Sequence, residues 1–340
     1  MQNLSATILR IDSFGLVVTR MRYLVLLALW SGAVCGETVD GWLMRINYAA
    51  SLNYQGVFIY VYESNLETMR VVHQVKGGVT RERIYSLNGA PREIVRDAEQ
   101  VWCYAPEQQI GVRVYRKESR QNFPNILPRN LDHLSDNYDL RLGRKSRIAE
   151  RAAQQILISP LDEYRYGYVL WADQETGLLL KAALVTRENV PIEQYMFTEV
   201  EIGGLIAVDD LAPNTAKEML KWYAAEGNTQ EPGYATLVKP GWEIGNVPEG
   251  FRISQQLKRM SPIRNRMMEH YVYSDGLAAV SVFIEKNDDS NTWPQVDGVN
   301  RIGAIHAFGR TQDGYNITVV GEVPPQTVDM IGMSVKKILQ

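Results

Sequence analysis

The sequence predicts a mainly β protein of the α+β class. A large antiparallel sheet should curl into an open barrel with helices on its concave side, and a smaller antiparallel sheet should be closed by a C-terminal helix. Three observations predict this. Short alternating runs recur over residues 57–200 and again over 251–321, the pattern of strands with two unlike faces. Turn dipeptides separate many of them, among them Asn88-Gly89, Asp275-Gly276 and Asp313-Gly314, as two-residue hairpins require. Eighteen tyrosines and seven tryptophans against seven phenylalanines suit sheets with half-wet faces. A single sheet of roughly ten strands does not stay flat, hence the expected curl.

The chain has 340 residues and a net charge of −3. That length allows two cores, and the charge argues against a nucleic-acid protein. Near the start, Met21-Arg22-Tyr23 precedes the apolar run 24–30 and the small residues Ser31-Gly32-Ala33. A basic flank, a short apolar core and a small-residue zone make a signal peptide. The run is too short to span a bilayer, which takes about 20 residues. Residues 1–35 therefore read as an upstream extension plus signal peptide, with Met21 as an alternative start and cleavage after Ala33 or Cys35. Cleavage after Cys35 leaves Cys103 as the single thiol, so the exported chain has no internal disulfide.

The large domain is expected over 36–203. It opens with a helix over 38–52 whose stripe is Trp42, Ile46 and Ala49. Strands follow over 57–63 and 67–76. The stretch 77–104 reads as three more strands, with a tight turn at Asn88-Gly89 and another near Asp97. In its first strand Arg81, Arg83 and Tyr85 share one face, and Glu82 and Ile84 the other. Either set can face the concave side. A strand over 111–116, a proline-bearing loop over 121–129 and a short helix over 130–138 come next. Strands then resume over 139–147, 152–158, 164–172, 178–186 and 193–200. The run 152–158 also has helix propensity and is read as strand. Residues 204–233, rich in Gly, Pro and Asp, read as a linker. The small domain, 234–340, has strands over 251–260, 268–274, 277–286, 301–311 and 315–321. Pro324-Pro325 opens its helix, with Val328, Ile331, Val335 and Ile338 as the buried stripe.

No catalytic pattern emerges. The four histidines, His73, His133, His270 and His306, are not at zinc-ligand spacing, and no CxxC, nucleophile elbow or phosphate loop occurs. Cys103 between Trp102 and Tyr104 reads as a strand thiol. The expectation is a binding protein with no cofactor and no enzymatic activity. Phe58, Tyr60 and Trp102 either line a half-closed barrel that holds an acyl chain or simply pack it. Arg81 and Arg83 are the candidate phosphate contacts at its mouth. In the small sheet Tyr271, Tyr273 and Phe283 are the candidate partner-binding residues.

Five blocks carry a resemblance to a known family. They are GGVTRERIYSLNGAPREIVR (77–96), YRYGYVLWADQETGLLLK (164–181), EQYMFTEVEI (193–202), EHYVYSDGLAAVSVFIE (269–285) and YNITVVGEVPPQTV (315–328). In this order the chain resembles the RseB/MucB family of periplasmic regulators of an envelope-stress sigma factor. The resemblance implies a LolA-like unclosed barrel and a smaller C-terminal domain. It implies residence in the periplasm and a partner, the periplasmic segment of a membrane-spanning anti-sigma factor of the RseA/MucA type. Binding would shield that segment from site-1 proteolysis, and lipopolysaccharide or another lipid would release it. A homo-oligomer is compatible with the family. The rival expectation is a periplasmic lipid or lipoprotein carrier, which has no need of the second sheet.

Overall fold

The computed structural model describes residues 37–115, 123–225, 235–236, 240–260, 267–287 and 297–338. The predicted leader, 1–35, lies outside them, as does the 226–233 end of the predicted linker. In chain order the strands are β1 (Tyr54–Tyr62), β2 (Asn65–Lys76), β3 (Val79–Ser86), β4 (Glu93–Arg96), β5 (Gln100–Ala105), β6 (Ile110–Tyr115) and β7 (Tyr138–Ile148). They continue with β8 (Arg151–Pro160), β9 (Gly167–Asp173), β10 (Leu179–Val185), β11 (Pro191–Ile202), β12 (Lys221–Ala225), β13 (Ala235–Thr236) and β14 (Trp242–Ile244). The last seven are β15 (Arg252–Met260), β16 (Met267–Ser274), β17 (Ala279–Lys286), β18 (Gly298–Ile302), β19 (Ile305–Gln312), β20 (Tyr315–Gly321) and β21 (Val335–Lys337). Among the described residues three α-helices accompany them: α1 (Val39–Ala49), α2 (Leu134–Asn137) and α3 (Pro325–Ser334).

The large sheet runs β12-β6-β5-β4-β3-β2-β1-β11-β10-β9-β8-β7. It is antiparallel except that β12 joins β6 in parallel. Its ends do not pair, so the barrel stays open, as expected. The sheet nevertheless curls: β7 returns to touch β11 although three strands separate them. α1 forms where the apolar stripe predicts it. The Thr38 hydroxyl caps it by accepting from the Gly41 N–H at 3.1 Å, which satisfies one of the free donors of the first turn. Its buried residues Trp42, Leu43, Ile46 and Ala49 join one continuous core with Tyr54, Phe58, Val71 and Ile84 on one side of the curl and Ile156, Leu170 and Phe197 on the other. The face covered by α1 is therefore the inner face.

The small sheet runs β13-β15-β16-β17-β20-β19-β18, and β14 pairs with β21 as a separate ribbon. Val280, Val282, Ile317, Val319 and Phe308 pack beneath α3, whose Val328 and Ile331 are fully buried. Gly332 lets α3 lie flush on the Phe308 ring, since a Cβ there would meet the ring at 2.1 Å.

Three expectations are corrected. Asn88-Gly89 does not form a two-residue turn. Pairing stops at Tyr85 opposite Glu93, and the longer loop is held by Asn88 Oδ1 accepting from the Thr68 N–H at 2.6 Å and by Ser86 Oγ accepting from the Arg92 N–H at 2.9 Å. The predicted linker is, over its described part, a strap on the large sheet. Ile206 and Leu211 pack on Val72, and Trp222 in β12 lies flat against Gly111. The helix stripe also ends early. Arg310 donates to the carbonyls of Gly332 at 2.9 Å and Val335 at 2.7 Å, and the chain then extends into β21. Val335 and Ile338 thus lie beyond the helix.

One buried cluster fixes how the two sheets meet. Arg165, between β8 and β9, is 1% exposed. It donates to both oxygens of Asp162, at 3.1 and 2.8 Å, to Asp275 Oδ2 at 2.7 Å, and to the Glu249 carbonyl. Its guanidinium lies 5.7 Å from the Tyr138 ring centre and 5.0 Å from that of Phe251. Asp275 sits in the β16–β17 turn. It also accepts from the Tyr138 hydroxyl at 2.9 Å and from the N–H groups of Leu277 and Ala278 at 2.9 and 2.7 Å. Nearby, α3 is tied to the same loop by Thr327 Oγ1 donating to the Tyr164 carbonyl at 2.7 Å.

Arg165→Ala strands the buried Asp275 carboxylate and should lower the unfolding free energy by about 3–5 kcal/mol, read from urea midpoints. A loss below about 1 kcal/mol would mean the pair is dispensable. Gly250 has φ +84°, and a Cβ there would lie 2.0 Å from Asn137 Oδ1. Gly250→Ala should therefore destabilise by at least about 1 kcal/mol, through backbone strain and overpacking, in the same assay.

Candidate functional site

The inner face of the large sheet is lined by aromatics at the mouth of the curl. Phe58 in β1 stacks on Phe123 at 4.4 Å between ring centres. Tyr195 and Phe197 in β11 stand edge-on to Phe58, at 6.3 and 5.9 Å. The loop bearing Phe123 is pinned by two tyrosines. Tyr54 donates to the Phe123 carbonyl, and Tyr195 donates to the Pro124 carbonyl at 2.9 Å. Phe58 is 3% exposed, so this part of the inner face is packed.

Further along the same face Tyr60 donates to Glu193 Oε2 at 2.5 Å. Burial first, and that hydrogen bond second, push the Tyr60 phenol well above its ordinary value. Glu193 Oε1 in turn accepts the backbone N–H of Ala304, in the β18–β19 turn of the small sheet, at 2.8 Å. Tyr168 donates to Glu322 at 3.2 Å. Ala304, fully buried, packs with Tyr166 and Leu184. At the other end of the junction Tyr138 is likewise pushed far up, by burial and then by Asp275. The small sheet is thus seated on the rim of the large one through several polar contacts, with Arg165–Asp275 at one end and Glu193–Ala304 at the other.

The five expected lipid contacts do not converge. Phe58 and Tyr60 are on the inner face. Trp102 pairs with Val95, and Val95 with Arg83, so Trp102 and Arg83 share the outer face, with Arg81 two residues away on the same side. Arg83 is buried there. It donates to Glu93 at 2.5 Å and to the Asp210 carbonyl of the strap at 3.2 Å, and it stacks on Tyr85. Trp102 carries Lys217 of the strap 5.0 Å from its ring centre, and Arg81 is exposed. The Arg81/Arg83 phosphate site at the mouth is therefore not formed. The residues that do turn inward are Ile84 and Glu82. Glu82 accepts from Arg96 at 2.9 Å and bonds His73 at 3.1 Å, and His73 stacks on Tyr54 at 4.5 Å.

The three expected partner contacts also divide. Tyr271 is 1% exposed in the small core and donates to Glu269 at 2.6 Å. Tyr273 packs against the same core. Phe283 is on the opposite face, stacked on His270 at 4.3 Å with Arg259 above it at 5.7 Å. Cys103 faces inward beside Ile94, and burial raises its thiol away from the reactive range. Among the described residues no group of three His, Cys, Asp or Glu is placed to hold a metal, and no helix is long and apolar enough to cross a membrane. Sequence reasoning missed Arg165, Glu193 and Phe123. The first two lie inside quoted family blocks, and Asp275 was marked only as a turn residue.

Comparison with known proteins accounts for both sheets. The model of the MucB/RseB N-terminal domain matches residues 38–219, and that of the MucB/RseB C-terminal domain matches 236–336. The sigma factor AlgU regulatory protein MucB of Pseudomonas aeruginosa is 30% identical over 298 residues, covering 87% of this chain and 90% of that relative. The sigma-E factor regulatory protein RseB of Escherichia coli is 26% identical over 301 residues, covering 86% and 89%. A crystal structure of MucB in complex with MucA(peri) superposes with a TM-score of 0.67 at 27% identity, covering 89% of this chain and 100% of that one. Two family models that together span both sheets, with relatives matched over nearly their whole length, place this chain in the MucB/RseB family of sigma factor regulatory proteins.

Proposed function

We propose that the protein is a periplasmic, non-enzymatic regulator. It binds the periplasmic segment of a membrane-spanning anti-sigma factor, shields that segment from site-1 proteolysis, and gives it up when lipopolysaccharide or another lipid binds. The observation that carries this reading is the match, over both sheets, to MucB solved with MucA(peri). The signal-peptide pattern of residues 21–33 supports export. The architecture suits the role, because two sheets meeting at a polar junction present rims and edges to an extended peptide, which binds by strand addition or groove burial. A lipid then weakens the complex only by preferring the peptide-free form.

The test uses residues 36–340 and a purified periplasmic segment of a MucA-type anti-sigma factor from the same organism. The chain should bind that segment and slow its cleavage by the site-1 protease at least tenfold at saturation. Added lipopolysaccharide should restore cleavage. Absence of binding would refute the reading. Binding without protection would remove the shielding step, and protection unaffected by lipopolysaccharide would remove the lipid step.

A further inference from the structure

At the Glu193 end of the junction a carboxylate from each sheet enters the same crease. Register sets the large-sheet side. Glu193 in β11 and Tyr168 in β9 both lie opposite Leu184 in β10, so the three form one cross-strand row on the inner face. Tyr62 of β1 continues the row opposite Glu193. Two tips of the small sheet meet this row. One is the β18–β19 turn, where the Ala304 N–H donates to Glu193 Oε1 at 2.8 Å. The turn comes so close that a Cβ on Gly303 would lie 2.8 Å from the same oxygen. The other is Glu322, just past β20, which accepts from the Tyr168 hydroxyl at 3.2 Å. His306 ties the two tips together. Its Nδ1 lies 2.9 Å from the Val323 carbonyl, which can only accept, so Nδ1 carries the proton.

The charges of the crease do not balance. Glu193 is held by neutral donors, the Tyr60 hydroxyl and the Ala304 N–H. Arg301, the cation of the small-sheet tips, is turned elsewhere: it donates to the Gly303 carbonyl at 2.8 Å and lies 3.8 Å from Glu63. Asp275, which also acts on Tyr168, is paired with Arg165. The other titratable groups facing the crease are the phenols of Tyr60, Tyr62, Tyr166 and Tyr168 and the imidazole of His306, and a phenol ordinarily ionises only near about pH 10. Glu322 is open to water on one side. Even so, desolvation by the protein around it, and then the Glu193 charge, hold its carboxyl above the ordinary value. Each of two neighbouring carboxylates disfavours the ionised form of the other.

We propose that Glu193 and Glu322 form a proton-operated latch: as the pH falls below neutral, Glu322 takes up a proton, the repulsion between the sheets is relieved, and the small sheet seats more firmly on the rim. The sign follows from linkage. The seated form binds this proton more tightly than the unseated form, in which Glu322 regains water and loses Glu193 as a neighbour. Seating is therefore strengthened as the pH falls through the raised value of Glu322, and the gain is absent at neutral pH and above. His306 acts in the opposite sense. Burial first, against its hydrogen bond to Val323, holds the imidazole below the ordinary value, and Arg301 adds to this from the paired position in β18. Charging His306 on acidification thus weakens the seated form. The direction of the response tells which group governs the junction.

The test uses residues 36–340 alone, without partner, lipid or protease. The Ala304 N–H has its acceptor across the junction, so its hydrogen-exchange protection reads unseating at this end. Protection factors, corrected for the intrinsic pH dependence of exchange, are followed by NMR from about pH 7.5 down to about pH 5. Val319, fully buried in the small core, reports in the same spectra on the fold as a whole. Protection at Ala304 should rise at least about twofold on acidification. Glu322→Gln, which removes the charge at an open position, should show the high protection already at the upper pH and no further rise. Glu188→Gln, in the exposed turn between β10 and β11, should respond like the parent. The proposal is overturned if protection at Ala304 stays flat or falls on acidification, if Glu322→Gln keeps the parent's pH response, or if Glu188→Gln abolishes it.

Discussion

The buried pair of Arg165 and Asp275 is the contact on which the arrangement of the two sheets depends. Taking both charges out of water costs several kcal/mol apiece, and their attraction recovers this only when every remaining donor and acceptor is used. Here four of the five N–H groups of Arg165 and both oxygens of Asp275 are used. The Asp275 carboxylate takes four donors, two from its own turn and two from the large sheet. The guanidinium answers with the two oxygens of Asp162 and the Glu249 carbonyl. An apolar contact of the same area could hold the sheets as firmly, but it would tolerate sliding. A planar fork with fixed acceptors does not. The pair therefore specifies which surfaces meet more than it adds net stability.

The second contact is of a different kind. At Glu193 the small sheet offers a backbone N–H, and the large sheet answers with one carboxylate shared between Ala304 and Tyr60. No opposite charge is buried with it, so separating the groups strands less than separating Arg165 from Asp275 would. The junction has a firm end, near Tyr138, and a softer end, near Tyr60. Any movement of one sheet on the other that a ligand selects is cheapest about the firm end.

Much of this was legible in the sequence. Period-two alternation located the strands, and the Trp42–Ile46–Ala49 stripe located α1, because both follow from burial on one face of a regular element. Asp313-Gly314 reads correctly as a turn, with positive φ at both residues, 52° and 73°. Asn88-Gly89 does not, because the Asn88 side chain is used to cap Thr68 and leaves the turn geometry. Residues 204–225 looked like a linker from their Gly, Pro and Asp content. What makes them a strap is tertiary: Arg83 and Glu93 bind its backbone, and composition does not report such contacts. Parity is not written locally. Arg81, Arg83 and Tyr85 alternate with Glu82 and Ile84, and nothing local says which set α1 will cover.

That parity decides what the large sheet has left to offer. Its inner face is occupied by α1 and by the Phe123 loop, and its outer face over β2–β5 by the strap. Two cations of β3 and β4 are spent inside the protein, Arg83 on Glu93 and Arg96 on Glu82, while Arg81 is exposed on the outer face. The free edge at β7 carries Arg141, Arg144, Lys145 and Arg147, and a bulge between Leu142 and Lys145. Charges and a bulge on an edge strand are devices that keep it from accepting another strand. The β7 edge is thus built against strand addition. The second sheet supplies rims and edges that the filled barrel lacks.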